Sequence, residues 1–363
     1  MKYKIGILVE TLSSGGAERS AGILSKIFSH LNHKVFVILL NNNIVYPYKG
    51  KLIVLEKKKE HSNSIFKKFK KYRNLKQVID DNNFDFVLDF RMKKSVLREV
   101  LLNMFVFKDN VINMVRSFRV DWYLTNNKMV SKWLYSKYLS INTVSQEIKK
   151  KIEYEFGFKN VNFIPNPIDI SFVQNKAKES IEVIDRYILF VGRLSSVKQV
   201  VQLVEVYANS KLPKFNIKLY ILGEGEEKES IINEITNLNL VDKVNLIPYN
   251  NNPFKYMKNA KFLILSSKYE GFPRVLIESL ASGTPVVSFN CESGPNEIIN
   301  HENNGLLVEN QNFEALNLAM NRMVDDETLY FRCKNEALKS VEKYSLQTIS
   351  EQWQKYLAVL KKN

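Results

Sequence analysis

Glu270 and Glu278 are separated by seven residues in EGFPRVLIE, the first in a glycine-proline turn and the second inside an apolar helical run. Carboxylates accept hydrogen bonds from hydroxyls and can balance positive charge. The turn follows KFLILSS (261–267), which reads as a buried strand, and VLIESLASG (275–283) reads as a helix stopped by Gly283. The pair therefore stands where the carboxyl end of a strand meets a helix start. Open α/β sheets bind ligands there, because loop amides and the helix N-terminus present unpaired N–H groups. The spacing is a little over two helical turns, so the two carboxylates need not touch the same ligand atoms. One could hold a sugar and the other a more distant hydroxyl pair. A bare pair at this spacing reads first as solvated helix-region glutamates, so its meaning rests on its surroundings.

Further residue sets share that kind of position. In VGRLSSVKQ (191–199), just past a strand, Arg193 offers a planar fork and Lys198 a compact charge, together able to neutralise two oxygens of a diphosphate. Standing alone they would read as surface charges. ILGEGEEK (221–228) places Gly223 and Gly225 at another strand end, and Tyr249 follows a further strand, where it could lie against a base or simply pack. Near the start, Gly15 and Gly16 in SSGGAER (13–19) let backbone approach a ligand ahead of a helix N-terminus that attracts negative charge. An ordinary strand-to-helix turn would look the same. It is not the G-x-G-x-x-G dinucleotide fingerprint, which argues against a nicotinamide enzyme.

The elements that must position these groups alternate along the whole chain. Strands are expected at YKIGILVE (3–10), HKVFVILLN (33–41), DFVLDF (85–90), VINMV (111–115), INTVS (141–145) and VNFIP (161–165), with a helix from Ala17 to about Leu31. YILFVGR (187–193), IKLYILG (217–223), KVNLIPY (243–249), KFLILSS and TPVVSF (284–289) repeat the pattern. With 363 residues and 45% hydrophobic content, the chain can build two sizeable cores. Pro165-Asn166-Pro167 fixes an extended segment between the halves.

The run SSKYEGFPRVLIESLASGTPVVSFNCESGPNEIINHENNGLLVEN (266–310) combines the glutamate pair, G-T-P-V-V, G-P-x-E-I-I and N-G-L-L-V in order. In this it resembles the donor site of family-four retaining glycosyltransferases, of the group-1, E-x7-E type. The resemblance implies the GT-B fold: α/β, two Rossmann-like domains facing across a cleft, with a C-terminal helix returning to the N-terminal domain. It implies an acceptor-binding domain over 1–166 joined by the helix 346–363, and a nucleotide-sugar domain over 167–345, with Trp353 as a packing residue. Glu278 would bond the ribose hydroxyls. Glu270 would contact sugar hydroxyls and stabilise charge at the anomeric carbon, with Gly271, Phe272, Pro273 and Arg274 forming the loop around the sugar or its phosphate; Pro273 itself has no N–H to offer. Gly223 would lie near the nucleotide. Arg193 and Lys198 would stabilise the departing diphosphate, so no cofactor and no metal is expected, and no Asp-x-Asp pair stands at a strand end. Relatives often carry a histidine after the fourth strand of the first domain. Here Arg116 stands there, and it could bind a charged sugar or an acceptor phosphate, or be a surface arginine at a strand end.

The charge is lopsided. Residues 1–170 hold 30 Lys and Arg against 15 Asp and Glu, whereas residues 171–363 hold 23 of each. Lys57-Lys58-Lys59 and Lys149-Lys150-Lys151 are basic runs. Within 64–79, Ile65, Phe66, Phe69, Tyr72, Leu75 and Ile79 recur at helical spacing between Lys67, Lys68, Lys70, Lys71 and Arg73. Such a helix could rest on an anionic membrane surface or pack its stripe on its own domain. KMVSKWLYSKYL (128–139) is a second candidate, with Trp133, Leu134, Tyr138 and Leu139 beside Lys132 and Lys137. No nucleic-acid-binding motif accompanies the charge.

No stretch is long and apolar enough for a spanning helix or signal peptide, and Cys291 and Cys333 make no disulfide scaffold or metal spacing. The expected setting is cytoplasmic, at the inner face of the plasma membrane. The expected activity is transfer of a hexose or N-acetylhexosamine from a nucleotide sugar, a UDP-sugar by resemblance, to a lipid-linked or oligosaccharide acceptor in surface-polysaccharide synthesis. A nucleotide-sugar epimerase of the same fold and a noncatalytic binding protein of polysaccharide assembly are the alternatives.

Overall fold

A computed structural model describes residues 2–13, 15–56, 65–181 and 185–362, with backbone only for 65–69. The chain divides into two compact units, Met1–Pro167 with Leu346–Asn363, and Ile168–Ser345.

The first unit is built on seven parallel strands: β1 (Lys4–Val9), β2 (Lys34–Leu39), β3 (Lys51–Val54), β4 (Phe86–Asp89), β5 (Val111–Val115), β6 (Ser140–Thr143) and β7 (Val161–Phe163), in the order β3-β2-β1-β4-β5-β6-β7. Their apolar runs are buried on both faces, as a parallel sheet covered by helices requires. The short edge strand β3 has no counterpart among the sequence expectations, because four residues, one exposed and three half-buried, carry too little periodicity to be read. The helices that matter here are α1 (Gly16–His30), α2 (Ile65–Asn82), α3 (Val96–Phe105) and α4 (Lys128–Tyr135).

The second unit repeats the plan with β8 (Arg186–Val191), β9 (Ile217–Leu222), β10 (Val244–Ile247), β11 (Leu263–Leu265), β12 (Val286–Phe289) and β13 (Gly305–Val308), ordered β10-β9-β8-β11-β12-β13 and all parallel. Strand order reverses between β1 and β4 in one sheet and between β8 and β11 in the other, so loops diverge at the carboxyl ends of those strands and leave room for ligands. The expected α/β class with two Rossmann-like domains is what forms.

The final helix, Leu346–Leu360, belongs to the first unit. It buries Ile349, Trp353 and Leu357, spaced four apart on one face, against that unit's core. Trp353 meets Phe28 edge to face at 5.4 Å, Tyr356 shares a 2.5 Å hydrogen bond with Ser140, and Lys361 pairs with Asp85 at 2.6 Å.

A buried ionic quartet closes the end of β4. Arg91 bonds both oxygens of Asp89, at 2.9 and 2.8 Å, and lies 3.3 Å from Glu99 of α3, while Lys93 also pairs with Asp89. Burial alone would raise the Asp89 pKa, but Arg91 and Lys93 hold it well below the usual carboxylate range.

The basic helix forms as α2, and the described part of its apolar stripe is used internally: Leu75 and Ile79 are buried, and Lys71 pairs with Glu56 at 2.6 Å. Lys57–Lys59 and the side chains of Ile65, Phe66, Lys67, Lys68 and Phe69 lie outside the described residues. Among the described residues no helix is long and apolar enough to cross a membrane.

Removing an indole from this core leaves a large cavity. Trp353→Ala is expected to cost about 3–5 kcal/mol, seen as a lower urea midpoint; a loss under about 1 kcal/mol would mean that the final helix is not part of the first core.

Candidate active site

In the second unit the site begins with close backbone packing at the carboxyl ends of β8 and β9. A Cβ on Gly223 would lie 1.9 Å from the Gly192 carbonyl oxygen, and one on Gly225 would lie 2.1 Å from that of Leu194. Only glycine lets the two loops lie this close, and their contact fixes the 192–199 turn. That turn is also bonded from the segment after β11: Ser266 Oγ donates to the Lys198 carbonyl at 2.8 Å, and the Lys268 amide donates to the Val197 carbonyl at 2.8 Å.

These bonds deliver Lys198 to Glu270. The ammonium lies 2.5 Å from Glu270 Oε1, and Ser267 Oγ donates to the same oxygen at 2.7 Å. The Glu270 amide donates to the Glu292 carbonyl, and Ser293 Oγ donates to the Gly271 carbonyl at 2.7 Å, so the glutamate loop is held by the segment after β12. There Gly294 adopts φ +104°, and a Cβ on it would meet Pro273 Cδ at 2.5 Å. Ser267 and Ser293 went unnoticed in the sequence, although for Ser267 a serine ending an apolar strand run was the available signal.

The helix Arg274–Ala281 starts after Pro273, as expected. Arg274 lies along it, 3.5 Å from Glu278 Oε1, and Glu278 is only 4% exposed. Phe272 turns its ring inward onto Tyr344, at 5.2 Å between centroids, so only its backbone can serve a loop ligand. Arg193 is not brought to Lys198 and Glu270. It is 74% exposed and pairs with Glu226 at 3.1 Å. Tyr249 is exposed, as a stacking residue requires.

The first unit offers a separate polar cluster at the carboxyl ends of β5 and β6. Arg116 donates through Nη2 to Asn142 Oδ1 at 3.0 Å, and its guanidinium lies 5.2 Å from the centre of the Phe90 ring. Arg116 Nε, Asn142 Nδ2 and Asn113 Oδ1 are buried without partners among the described residues. Burial without a carboxylate neighbour draws the Arg116 pKa down to about 9. Asn113 and Asn142 were also missed, although an asparagine inside an otherwise apolar strand was the sign to look for. Gly15 stands before α1 with φ +94°, and Gly16 opens the helix. Nearby, Glu18 accepts from Thr11 Oγ1 at 3.0 Å, and burial raises its pKa.

The family model described as glycosyl transferases group 1 matches residues 172–340. A Campylobacter jejuni enzyme named N-acetylgalactosamine-N,N'-diacetylbacillosaminyl-diphospho-undecaprenol 4-alpha-N-acetylgalactosaminyltransferase is 33% identical, over 98% of this chain and 99% of its own. The amylovoran biosynthesis glycosyltransferase AmsD of Erwinia amylovora is 26% identical over 97% and 98%. Among solved structures, Anabaena Alr3699/HepE in complex with UDP superposes with a TM-score of 0.79 at 17% identity, covering 98% of this chain and 100% of that one. With the paired lysine and glutamate at the carboxyl edge of a Rossmann-like sheet, these likenesses lead to one conclusion: the chain belongs to the group 1 glycosyl transferases and is a glycosyltransferase of GT-B fold.

Proposed function

We propose that this enzyme moves a hexose or N-acetylhexosamine from a UDP-sugar, held by the second unit, to a lipid-linked acceptor taken by the first, with retention of anomeric configuration. The observation that carries the reading is the Lys198–Glu270 pair, braced by Ser267 at the carboxyl ends of β8 and β11. The donor class draws support from the UDP in the Anabaena structure, and the acceptor class from the diphospho-undecaprenol in the Campylobacter enzyme's name.

In this reading Lys198 neutralises the diphosphate as it leaves, and Glu270 faces the sugar hydroxyls and the positive charge growing at the anomeric carbon. The bond from that carbon to the diphosphate oxygen breaks. The new bond to the acceptor oxygen forms on the same face, and the acceptor proton passes to the diphosphate. Glu278 takes the ribose hydroxyls. Arg193 joins by leaving Glu226, an exchange that costs little because exposed ion pairs are weak. Gly223 sets the turn that carries both cations, while Gly271 and Arg274 present backbone amides. Gly15, Gly16 and Arg116 serve the acceptor side, where the unpartnered Nε of Arg116 suits a phosphate oxygen. Side chains supply the charge neutralisation, as in the family-four mechanism without a metal.

Glu270→Gln and Lys198→Ala are each expected to lower kcat at least about 100-fold while retaining cooperative unfolding; full turnover in either variant would refute the assignment. Arg116→Ala is expected to raise KM for a phosphate-bearing acceptor about 10–100-fold, the loss of one charged hydrogen bond, and to leave hydrolysis of UDP-sugars unchanged; equal loss of both would place Arg116 elsewhere. Turnover should survive EDTA, and loss restored by a divalent cation would overturn the metal-free reading.

A further inference from the structure

Helices α3 and α4 carry apolar residues on the wrong side for a core. On α3, Leu97, Leu101, Met104 and Phe105 follow the i, i+4, i+7, i+8 spacing of a face made for burial, yet all four are exposed, Leu97 by 69%. On α4, Met129 and Trp133 are one turn apart and 81% and 63% exposed. The sequence grouped Trp133 with Leu134 and Tyr138, but the structure separates them: Leu134, the next residue on the helix, points about 100° away and is buried, and Tyr138, past the end of α4, is buried too. The two helices are neighbours, with Lys137, just past the end of α4, donating to the Asn103 carbonyl of α3.

We propose that the outward faces of α3 and α4 form a docking surface that inserts into an anionic lipid bilayer. Contiguous exposed apolar side chains on a water-soluble protein mark an interaction surface. The charge around them selects the occupant. Residues 94–137 contain eight Lys and Arg against three acids, and of those acids Glu99 is buried in the ionic quartet and Asp121 pairs with Arg119. Lys94, Lys128, Lys132 and Lys137 are exposed around the two stripes. Apolar side chains within a ring of lysines match the acyl region and the anionic headgroups of one leaflet, whereas a second copy of this chain would bring like charge against like. This surface deepens the lipid-linked-acceptor reading, on which its purpose rests: it would hold the acceptor-side unit at the plane where such a carrier presents its headgroup.

The test uses the full chain and vesicles of phosphatidylglycerol and phosphatidylethanolamine, with phosphatidylcholine vesicles as the neutral control. Wild type should co-sediment with the anionic vesicles, less so in high salt, and brominated acyl chains should quench Trp133 fluorescence. The double variant Leu97→Glu, Trp133→Glu should bind at least tenfold more weakly while hydrolysing a panel of UDP-hexoses and UDP-N-acetylhexosamines as wild type does. Undiminished vesicle binding by the double variant, no vesicle binding by wild type, or a wild-type dimer in light scattering that the double variant lacks would each overturn the proposal. Vesicle binding that is lost in the double variant would sustain it even if no UDP-sugar were turned over, a result that would count against the transferase reading alone.

Discussion

The Lys198–Glu270 ion pair is the interaction around which the loops at the carboxyl edge of the second unit's sheet are arranged. Two loops from strands that are neighbours in space but 72 positions apart in the chain must meet for it to form. The hydrogen bonds that tie Ser266 and Lys268 to the lysine turn, and Glu292 and Ser293 to the glutamate turn, have that single result. Charges set in place before a reaction need not be reoriented during it, which is where electrostatic catalysis draws most of its advantage.

The glycines at 223, 225 and 294 act one level below. Each stands where a side chain would collide with backbone or proline, so each sets a distance between loops. Positioning by steric contact is stiff, so loops packed this way can hold side chains in a fixed geometry.

Most of the architecture could be read from the chain, because strands buried on both faces are continuous apolar runs and the helices between them keep a 3.6-residue period. What escaped was of two kinds. The edge strand Lys51–Val54 is too short to show a period. Side-chain direction is the other kind: proximity in sequence put Arg193 with Lys198, but their turn sends one to Glu226 at the surface and the other to Glu270. The apolar stripe of α3 was likewise unreadable as a surface feature. Leu97, Leu101, Met104 and Phe105 have the spacing of core residues, and only the fold reveals that the opposite side of the helix carries the burial.

That reversal bears on the quartet of Asp89, Arg91, Lys93 and Glu99. A helix with leucine, methionine and phenylalanine on one side and a glutamate on the other would, left alone, roll to hide its oily side. Glu99 prevents this, because rotating α3 would pull a carboxylate out of reach of Arg91 and strand opposite charges in a dry interior. The quartet thus works as a latch on helix orientation, and an electrostatic arrangement deep inside the unit dictates which greasy side chains meet the outside world.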